Sequence, residues 1–294
     1  MSEETVGFIG LGLMGGAIAM RMLKSGRPLI VHDIDAESLA RFVAAGAVQA
    51  GSVREIADRC SLVMVCLPTG GFPDVAREAA EGAALQVYAE FSTMRPETAR
   101  EIEAIMATQG KMLVDAPVSG GVTIAERGAL SLMMAGPAEA MDRLEAAMAP
   151  VIAHAFRVGD TPGQAQLCKL VNNAIGFTMF VASCEALSVG AAGGIDPVVL
   201  LEAANAGTAR NSWTTDKFGP HVLSRSFDAG GKLGGGPRAL DLYLDQAEAA
   251  GMPPGLVART RAVWAAIAAK MDPSADFTTM IRHFEGLVGA ELRG

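Results

Sequence analysis

Short apolar runs alternate with helical patterns along the first part of the chain. Strand-like runs occupy Val6–Ile9 and 28–32. Amphipathic helical spacing follows each run, over 14–24 and 37–45. Strands that alternate with helices in this way pair in parallel, because each helix crosses over the sheet to reach the next strand. The pattern therefore predicts βαβ units.

The same alternation continues to about residue 114. Strand patterns recur over 62–66, 85–91 and 112–114. A Ser-x-x-Glu capping box begins a helix at Ser52, and Pro96 begins another. The pattern therefore predicts that the chain begins with a doubly wound parallel sheet of the α/β class.

Beyond about residue 163 the strand patterns stop, and long segments rich in alanine and leucine follow. The first of them, 164–192, is long for a helix of a globular protein and ends at a glycine pair, 193–194. We therefore predict two domains: an N-terminal α/β domain over 1–162, and an all-helical domain over 163–294 that serves substrate binding and oligomerisation.

A G-x-G-x-x-G motif lies between the first predicted strand and the first predicted helix. The first glycine of such a motif permits a tight turn, the second lets a pyrophosphate approach the backbone, and the third lets helix and strand pack closely. The N–H groups that begin the helix face the anion. The context predicts a Rossmann-type dinucleotide site that includes Gly10, Gly12, Leu13, Met14 and Gly15.

Asp33 stands at the end of the second predicted strand, about twenty residues beyond the last glycine. A carboxylate there accepts hydrogen bonds from the adenosine ribose hydroxyls and repels a 2′-phosphate. The position predicts NAD rather than NADP as the cofactor. The alternative is that Asp33 or Asp35 only caps the next helix.

Four segments, in order, resemble the β-hydroxyacid dehydrogenase family of the 6-phosphogluconate dehydrogenase superfamily. They are the glycine motif with its strand at 7–15, Phe91-Ser92-Thr93 at 91–93, Asp-Ala-Pro-Val-Ser-Gly-Gly at 115–121, and the helix at 163–173. The resemblance implies an NAD-dependent enzyme that oxidises a small 3-hydroxy acid, of the 3-hydroxyisobutyrate or tartronate semialdehyde and glycerate type. A reductase of an aldehyde or imine, and a catalytically silent dinucleotide-binding module, are the alternatives.

The resemblance also implies which residues bind the nicotinamide and the substrate. Leu67 and Pro68, after the third predicted strand, belong to the predicted cofactor site, and Ser92 and Thr93 are expected to line the nicotinamide or its ribose. Substrate carboxylate binding is expected at three consecutive residues, through one hydroxyl and unobstructed backbone N–H groups. These three residues are Ser119, Gly120 and Gly121. An ordinary tight turn is the alternative.

Two of the three predicted catalytic residues lie on the helix at 163–173. Lys169 stands among apolar neighbours, where partial desolvation lowers the pKa of an amine toward that of a general base. Its alternative is a lysine whose amine reaches solvent. Asn173 lies one helical turn later, so its amide projects from the same face and could orient the substrate hydroxyl. Its alternative is a bond to a backbone carbonyl. With Ser119, these are the predicted catalytic residues.

The sequence departs from its relatives at several places. Gly176 stands where the 6-phosphogluconate branch has a glutamate, which disfavours decarboxylation, and Lys169 together with Asp33 disfavours the imine reductase branch. Leu240 stands where many members have a lysine. Three residues could supply the missing cation, although each is also an ordinary surface residue: Arg95, Lys232 and Arg238.

Composition narrows the partners. The formal net charge is −8 and basic residues form no run, so neither nucleic acid nor an anionic membrane surface is expected. Four cysteines without a CxxC pair predict reduced thiols, no metal site and a cytoplasmic protein, and the acidic N-terminus predicts no signal peptide.

The long apolar helix could suggest a membrane span, but polar residues interrupt it: Lys169, Asn172, Asn173 and Glu185. We expect instead a buried helix of a soluble protein. Its apolar length and the alanine-rich segments after it predict a large contact between subunits, and hence a homodimer or homotetramer.

Overall fold

A computed structural model describes residues 4–294, which divide into two compact units. The first unit ends at Lys169 and the second is Leu170–Gly294. The predicted domain boundary, after residue 162, lies seven residues earlier, directly before a helix that begins at Gln164. One continuous helix crosses the division, because its first six residues belong to the first unit.

The first unit consists of a twisted sheet and seven helices among the described residues. The strands are β1 (Val6–Ile9), β2 (Leu29–His32), β3 (Val48–Gln49), β4 (Leu62–Val65), β5 (Val87–Glu90), β6 (Met112–Asp115), β7 (Val118–Ser119), β8 (Leu130–Ala135) and β9 (Ile152–Gly159). The helices are α1 (Leu13–Lys24), α2 (Ala36–Ala44), α3 (Val53–Arg59), α4 (Phe72–Ala80), α5 (Pro96–Ala107), α6 (Val122–Glu126) and α7 (Ala138–Met148).

The sheet confirms the doubly wound α/β fold. Its strand order is β3-β2-β1-β4-β5-β6-β8-β7, with β9 paired to β8, and the first six strands in the chain pair in parallel. Alternate residues of a strand enter different cores: Leu62 and Met64 pack on one face of the sheet, and Val63 and Val65 on the other. Helices therefore cover both faces, as continuously apolar strands require.

The sheet is not parallel throughout, and the strands that follow β6 were not predicted. Strand β8 pairs antiparallel with both β6 and β7. A parallel partner would need a crossover of a dozen or more residues. Only ten residues separate β7 from β8, and β7 follows β6 after two residues, so β8 runs antiparallel to both.

The second unit is helical, as predicted. It contains α8 (Gln164–Ala192) from Leu170 onward, α9 (Pro197–Ala206), a π-helix (Thr214–Leu223), α10 (Gly235–Ala249), α11 (Leu256–Ala268), a short 3-10 helix (Phe277–Met280) and α12 (Ile281–Val288). Its core centres on aromatic rings, with Phe180 4.7 Å from Trp213 and 5.5 Å from Trp264 between centroids. The π-helix was not predicted, because its widened turns leave no distinct apolar period in the sequence.

Helix α8 is long and apolar enough to cross a membrane by length and composition alone. It has 29 residues, and its most apolar window has a mean hydropathy of 1.5. Core helices of soluble proteins have the same properties. The absence of a membrane partner therefore stays a prediction.

Candidate functional site

The predicted cofactor residues follow strands that end at the same edge of the sheet. The register pairs Ile9 of β1 with Val65 of β4, Val65 with Glu90 of β5, and Glu90 with Asp115 of β6. The loops after these strands therefore begin side by side. In doubly wound sheets a ligand binds at this carboxyl edge, where the strand order changes direction.

The glycine turn after β1 has the shape that a dinucleotide phosphate requires. Gly10 has φ +90°, and a side chain there would collide with the Cys66 carbonyl oxygen, while one at Gly15 would collide with the carbonyl of Gly10. Space is open beside Gly12. Over the described residues, α1 has neither a side-chain cap at Gly12 nor an acid in its first turn. Its N-terminal N–H groups are therefore not used by a side-chain cap among the described residues, and phosphate binding beside the exposed Leu13 stays a prediction.

Asp33 is bonded to the glycine turn and does not cap a helix. Its Oδ2 accepts a hydrogen bond from the Leu11 N–H at 2.5 Å, and its Oδ1 accepts one from the Asp35 N–H at 2.8 Å. Asp35 caps α2, since its carboxylate accepts from the Ser38 N–H and hydroxyl. The capping alternative therefore describes Asp35, and Asp33 is held beside the turn.

The loops after β4 and β5 are joined by one hydrogen bond. The Leu67 N–H donates to the Ser92 hydroxyl oxygen at 2.7 Å, and Ser92 is 3% exposed. Pro68 is exposed and Thr93 is half-buried on the same edge. The structure thus uses the Ser92 hydroxyl to hold the neighbouring loop, and its predicted contact with nicotinamide stays a prediction.

The predicted carboxylate site is a turn between β7 and α6. Ser119 ends β7 opposite Ser131 of β8, and Gly120 and Gly121 have φ of +138° and +86°. Positive φ values favour glycine at both positions. The turn alternative is therefore correct as a description of the backbone, and carboxylate binding at this turn stays a prediction.

Lys169 lies on the second turn of α8 with part of its surface still accessible. Enclosure of its amine lowers the pKa to about 8, against a smaller raising effect of the neighbouring Cys168. No ion pair or hydrogen bond to Lys169 occurs among residues 4–294. An ordinary solvent-exposed lysine would keep a pKa near 10.4. The structure therefore favours the enclosed amine over the solvated one.

Asn173 follows Lys169 by one turn and is half-buried. Its amide makes no side-chain hydrogen bond within the described part of the chain. The structure therefore does not show the alternative, in which the Asn173 amide donates to a backbone carbonyl. Asn172, in contrast, is exposed.

A buried polar network beneath this edge was missed by sequence reasoning. Asp115 and Gln166 are each 0% exposed, and their side chains bond to each other and to the first turn of α8. The signals in the sequence are Asp115, which begins the motif at 115–121, and a glutamine on an apolar helix, three residues before Lys169.

Glu90 is the second buried acid of this edge, at 1% exposure. Burial raises its pKa to about 7, against the lowering effect of hydrogen bonds from Ser92, and the charge of Asp115 raises it further. Oε1 accepts from the Ser92 N–H at 2.9 Å. Oε2 and the nearby Tyr88 hydroxyl lack a hydrogen bond of ordinary geometry within residues 4–294, although the two groups interact.

The structure also shows the surroundings of Leu240, which stands where many family members have a lysine. Leu240 is fully buried in α10, and the next residue, Asp241, forms a two-point ion pair with Arg261 at 2.7 and 2.9 Å. The three candidate replacement cations are all exposed: Arg95 directly before α5, Lys232 in the loop before α10, and Arg238 on α10. A role in substrate binding stays a prediction for each.

Two family models match the chain, one to each domain. The NAD binding domain of 6-phosphogluconate dehydrogenase matches residues 5–159, and the model described as "NAD-binding of NADP-dependent 3-hydroxyisobutyrate dehydrogenase" matches residues 163–284. The two matches together cover nearly the whole chain.

Similar proteins align over almost their full lengths. An L-threonate dehydrogenase of Cupriavidus necator is 28% identical, with 97% of each chain covered. A 3-hydroxyisobutyrate dehydrogenase of Pseudomonas aeruginosa is 31% identical, with 96% of this chain and 98% of the relative covered. The crystal structure of a 3-hydroxyisobutyrate dehydrogenase from Salmonella typhimurium superimposes with a TM-score of 0.83 at 24% identity, over 96% of this chain and 100% of that one.

Proposed function

Because this chain belongs to the β-hydroxyacid dehydrogenase family of NAD-dependent oxidoreductases, we propose that it interconverts a small 3-hydroxy acid and its carbonyl product. The substrate class is that of 3-hydroxyisobutyrate or of tartronate semialdehyde and glycerate. The observation that carries the proposal is Lys169, an enclosed amine with a pKa of about 8 and no counter-charge among the described residues. Such an amine exchanges protons near neutral pH.

Lys169 is the proposed acid and base. In the oxidative direction its neutral amine accepts the proton of the substrate hydroxyl as the C–H bond of the same carbon breaks. NAD, when bound, supplies the acceptor for the hydride that leaves this carbon. In the reductive direction the ammonium returns the proton to the carbonyl oxygen. Both directions use the same residue, since the forward and reverse reactions share one transition state.

Two other groups are proposed to orient the substrate. The Ser119 hydroxyl and the N–H groups of Gly120 and Gly121 would hold the carboxylate, because glycine leaves these N–H groups unobstructed. The Asn173 amide, one helical turn beyond Lys169, would hold the hydroxyl. Its freedom from other side-chain hydrogen bonds within the described chain supports this role.

The proposed preference for NAD over NADP depends on Asp33. Its carboxylate lies beside the glycine turn, where the Leu11 N–H holds it. A carboxylate in this place accepts hydrogen bonds from the ribose hydroxyls and repels a 2′-phosphate. Gly10, Gly12 and Gly15, with the uncapped start of α1, would hold the pyrophosphate.

The test is a spectrophotometric panel with the purified protein. NAD or NADP is combined with 3-hydroxyisobutyrate, D-glycerate, L-threonate or L-serine, and reduced nicotinamide is followed by absorbance. We expect NAD reduction with at least one of the four acids. Binding of NADH without turnover of any of them, in either direction, would favour the silent binding module instead.

We also propose that the protein is a homodimer or homotetramer. Helix α8 carries apolar side chains at a spacing of four residues that remain exposed in the single chain: Leu167, Val171, Ile175 and Met179, at 44, 41, 58 and 36%. Residues spaced by four lie on one helix face. A contiguous apolar strip of this kind supports a contact with a second copy.

A further inference from the structure

The amide of Gln166 joins the lysine-bearing helix to the strand edge of the first unit. Its Nε2 donates to the Ser92 carbonyl at 3.0 Å and to Asp115 Oδ1 at 2.7 Å, and its Oε1 accepts from the Met94 N–H at 3.0 Å. Three of the four hydrogen-bonding positions of the amide are thus occupied. One side chain therefore bonds to both ends of the segment 92–94 and to the end of β6.

Asp115 binds the backbone of the same helical turn. Its Oδ2 accepts from the backbone N–H groups of Gly163 and Gln166, at 2.8 and 3.1 Å. These N–H groups lie at the start of α8, where no intrahelical carbonyl reaches them. Asp115, at the end of β6, thus caps α8 with one carboxylate oxygen. Its other oxygen accepts the hydrogen bond from the Gln166 amide.

Buried, mutually satisfied bonds of this kind define position closely. Gln166, Asp115 and Ser92 are all at most 3% exposed, so water does not compete for their bonds. Lys169 follows Gln166 by three residues on the same rigid helix, which places the two side chains on neighbouring positions of one face. Any shift of the Gln166 turn therefore moves the amine with it.

We propose that Gln166 is a positioning residue, which holds the turn of Lys169 at a fixed distance from the segment Ser92–Met94. The inference rests on the proposed function, in which Lys169 exchanges the proton, and on the expected contact of Ser92 and Thr93 with the nicotinamide or its ribose. Gln166 touches neither substrate nor cofactor in this role. It acts by keeping the amine in line with the carbon that loses its hydride.

The test replaces Gln166 by methionine, which has a similar shape but lacks the amide. The rate constant of NADH formation is measured in a single turnover with excess enzyme, using the acid of the panel that has the highest kcat/KM. Misplacement of a reacting group by about 1 Å lowers the rate about 100-fold, so we expect a fall of about 10- to 100-fold. NADH affinity should change little, because the glycine turn is intact.

The matched control is Gln164→Met. Gln164 lies two residues earlier on the same helix and is exposed. Within residues 4–294 its amide only accepts a hydrogen bond from the Thr161 N–H, at 3.0 Å. Its single-turnover rate constant should stay at the unmodified value. A purely structural role for Gln166 would lower the free energy of unfolding, measured by urea denaturation, and leave the single-turnover rate constant unchanged. That result would overturn the proposal.

Asp115→Asn serves if Gln166→Met does not fold. The asparagine oxygen can still accept from the two backbone N–H groups, but its NH2 group cannot accept from the Gln166 amide. We expect a slower rate constant with unchanged NADH affinity, and an unchanged rate constant would overturn the inference. Failure of the unmodified protein to reduce NAD with any acid would instead overturn the proposed function, and the inference with it.

Discussion

Burial moves the pKa values of Lys169 and Glu90 toward neutrality from opposite sides. The amine falls to about 8, and the carboxyl rises to about 7, in each case mainly because enclosure disfavours the charged form. Only Lys169 lacks a polar partner of its own within residues 4–294, which suits it to a substrate. Glu90 instead bonds to Ser92 and belongs to the support of the site.

The pKa of Lys169 predicts the pH dependence of oxidation. The neutral amine is the base, so kcat/KM for the hydroxy acid should rise tenfold per pH unit below about 8 and level off above it. Reduction needs the ammonium and should decline above the same pH. Lys169→Met should lower kcat by about two to four decades, with NADH binding retained. The exposed Lys24, replaced in the same way, serves as the control, and equal losses in both variants would contradict the assignment.

Glu90 predicts a pH-dependent stability. Because its pKa is raised in the folded state, the folded protein holds a proton between about pH 4.5 and 7 that the unfolded chain releases. Its stabilising effect is therefore full below this range and lost as pH rises through about 7. The unmodified protein should lose this contribution between pH 5 and pH 8, whereas Glu90→Gln has no such group to titrate. The difference in unfolding free energy, variant minus unmodified protein, should therefore rise by up to about 3 kcal/mol from pH 5 to pH 8.

Urea denaturation at the two pH values measures the effect of Glu90. Glu248→Gln, on the exposed side of α10, is the control and should show no pH-dependent gain. A constant difference between Glu90→Gln and the unmodified protein at both pH values would show that Glu90 is ionised throughout.

At the scale of elements, the proposed cofactor site lies where β1, β2 and α1 meet. The turn at Gly10 and Gly15 brings α1 against β1, and Asp33 ties the end of β2 to that turn through Leu11. The start of α2 is independent of this contact, because Asp35 caps it. Two acids that are neighbours in sequence therefore stabilise different elements.

The preference for NAD over NADP should therefore depend on Asp33 and not on Asp35. Asp33→Asn keeps an oxygen for the Leu11 N–H but removes the charge that repels a 2′-phosphate. We expect the ratio of kcat/KM for NAD to that for NADP to fall about tenfold or more, the effect of roughly 1.4 kcal/mol. Asp35→Asn should leave the ratio unchanged while weakening the α2 cap. A protein that already prefers NADP would contradict the proposed role of Asp33.

At the scale of the whole molecule, the acidic surface and the exposed strip of α8 determine which partners are expected. The net charge of −8 offers no attraction to nucleic acid. All four cysteines are free, and a cytoplasmic location stays a prediction. The exposed apolar strip of α8 is the feature that a second copy would bury. The proposed assembly would therefore depend on the exposed face of α8.

Light scattering coupled to size exclusion should give a mass of two or four times 30.3 kDa. Ile175→Glu introduces a charge at the centre of the strip, where Ile175 is 58% exposed, and should lower the mass. Leu287→Glu, at a 70% exposed leucine of α12, is the control and should leave it unchanged. A monomer in the unmodified protein would rule out the proposed assembly.

Local patterns were enough to predict β1, β2, β4, β5 and β6, the glycine turn, the all-helical second half, and the common helix of Lys169 and Asn173. These depend on residues close in sequence, whose spacing determines which side chains share a face or a turn. The short strand β3 and the strands after β6 escaped prediction. Their pairing depends on how the chain folds back after Asp115.

Sequence alone determined the type of fold, the family resemblance and the candidate chemistry of this protein. Only the tertiary structure decided that Asp33 reaches Leu11 while Asp35 caps a helix, that Gln166 joins three segments, and that the Lys169 amine has a pKa of about 8. The physical reason is that hydrogen bonding and desolvation depend on atoms brought together from distant parts of the chain. Periodicity along the sequence contains no record of those distances.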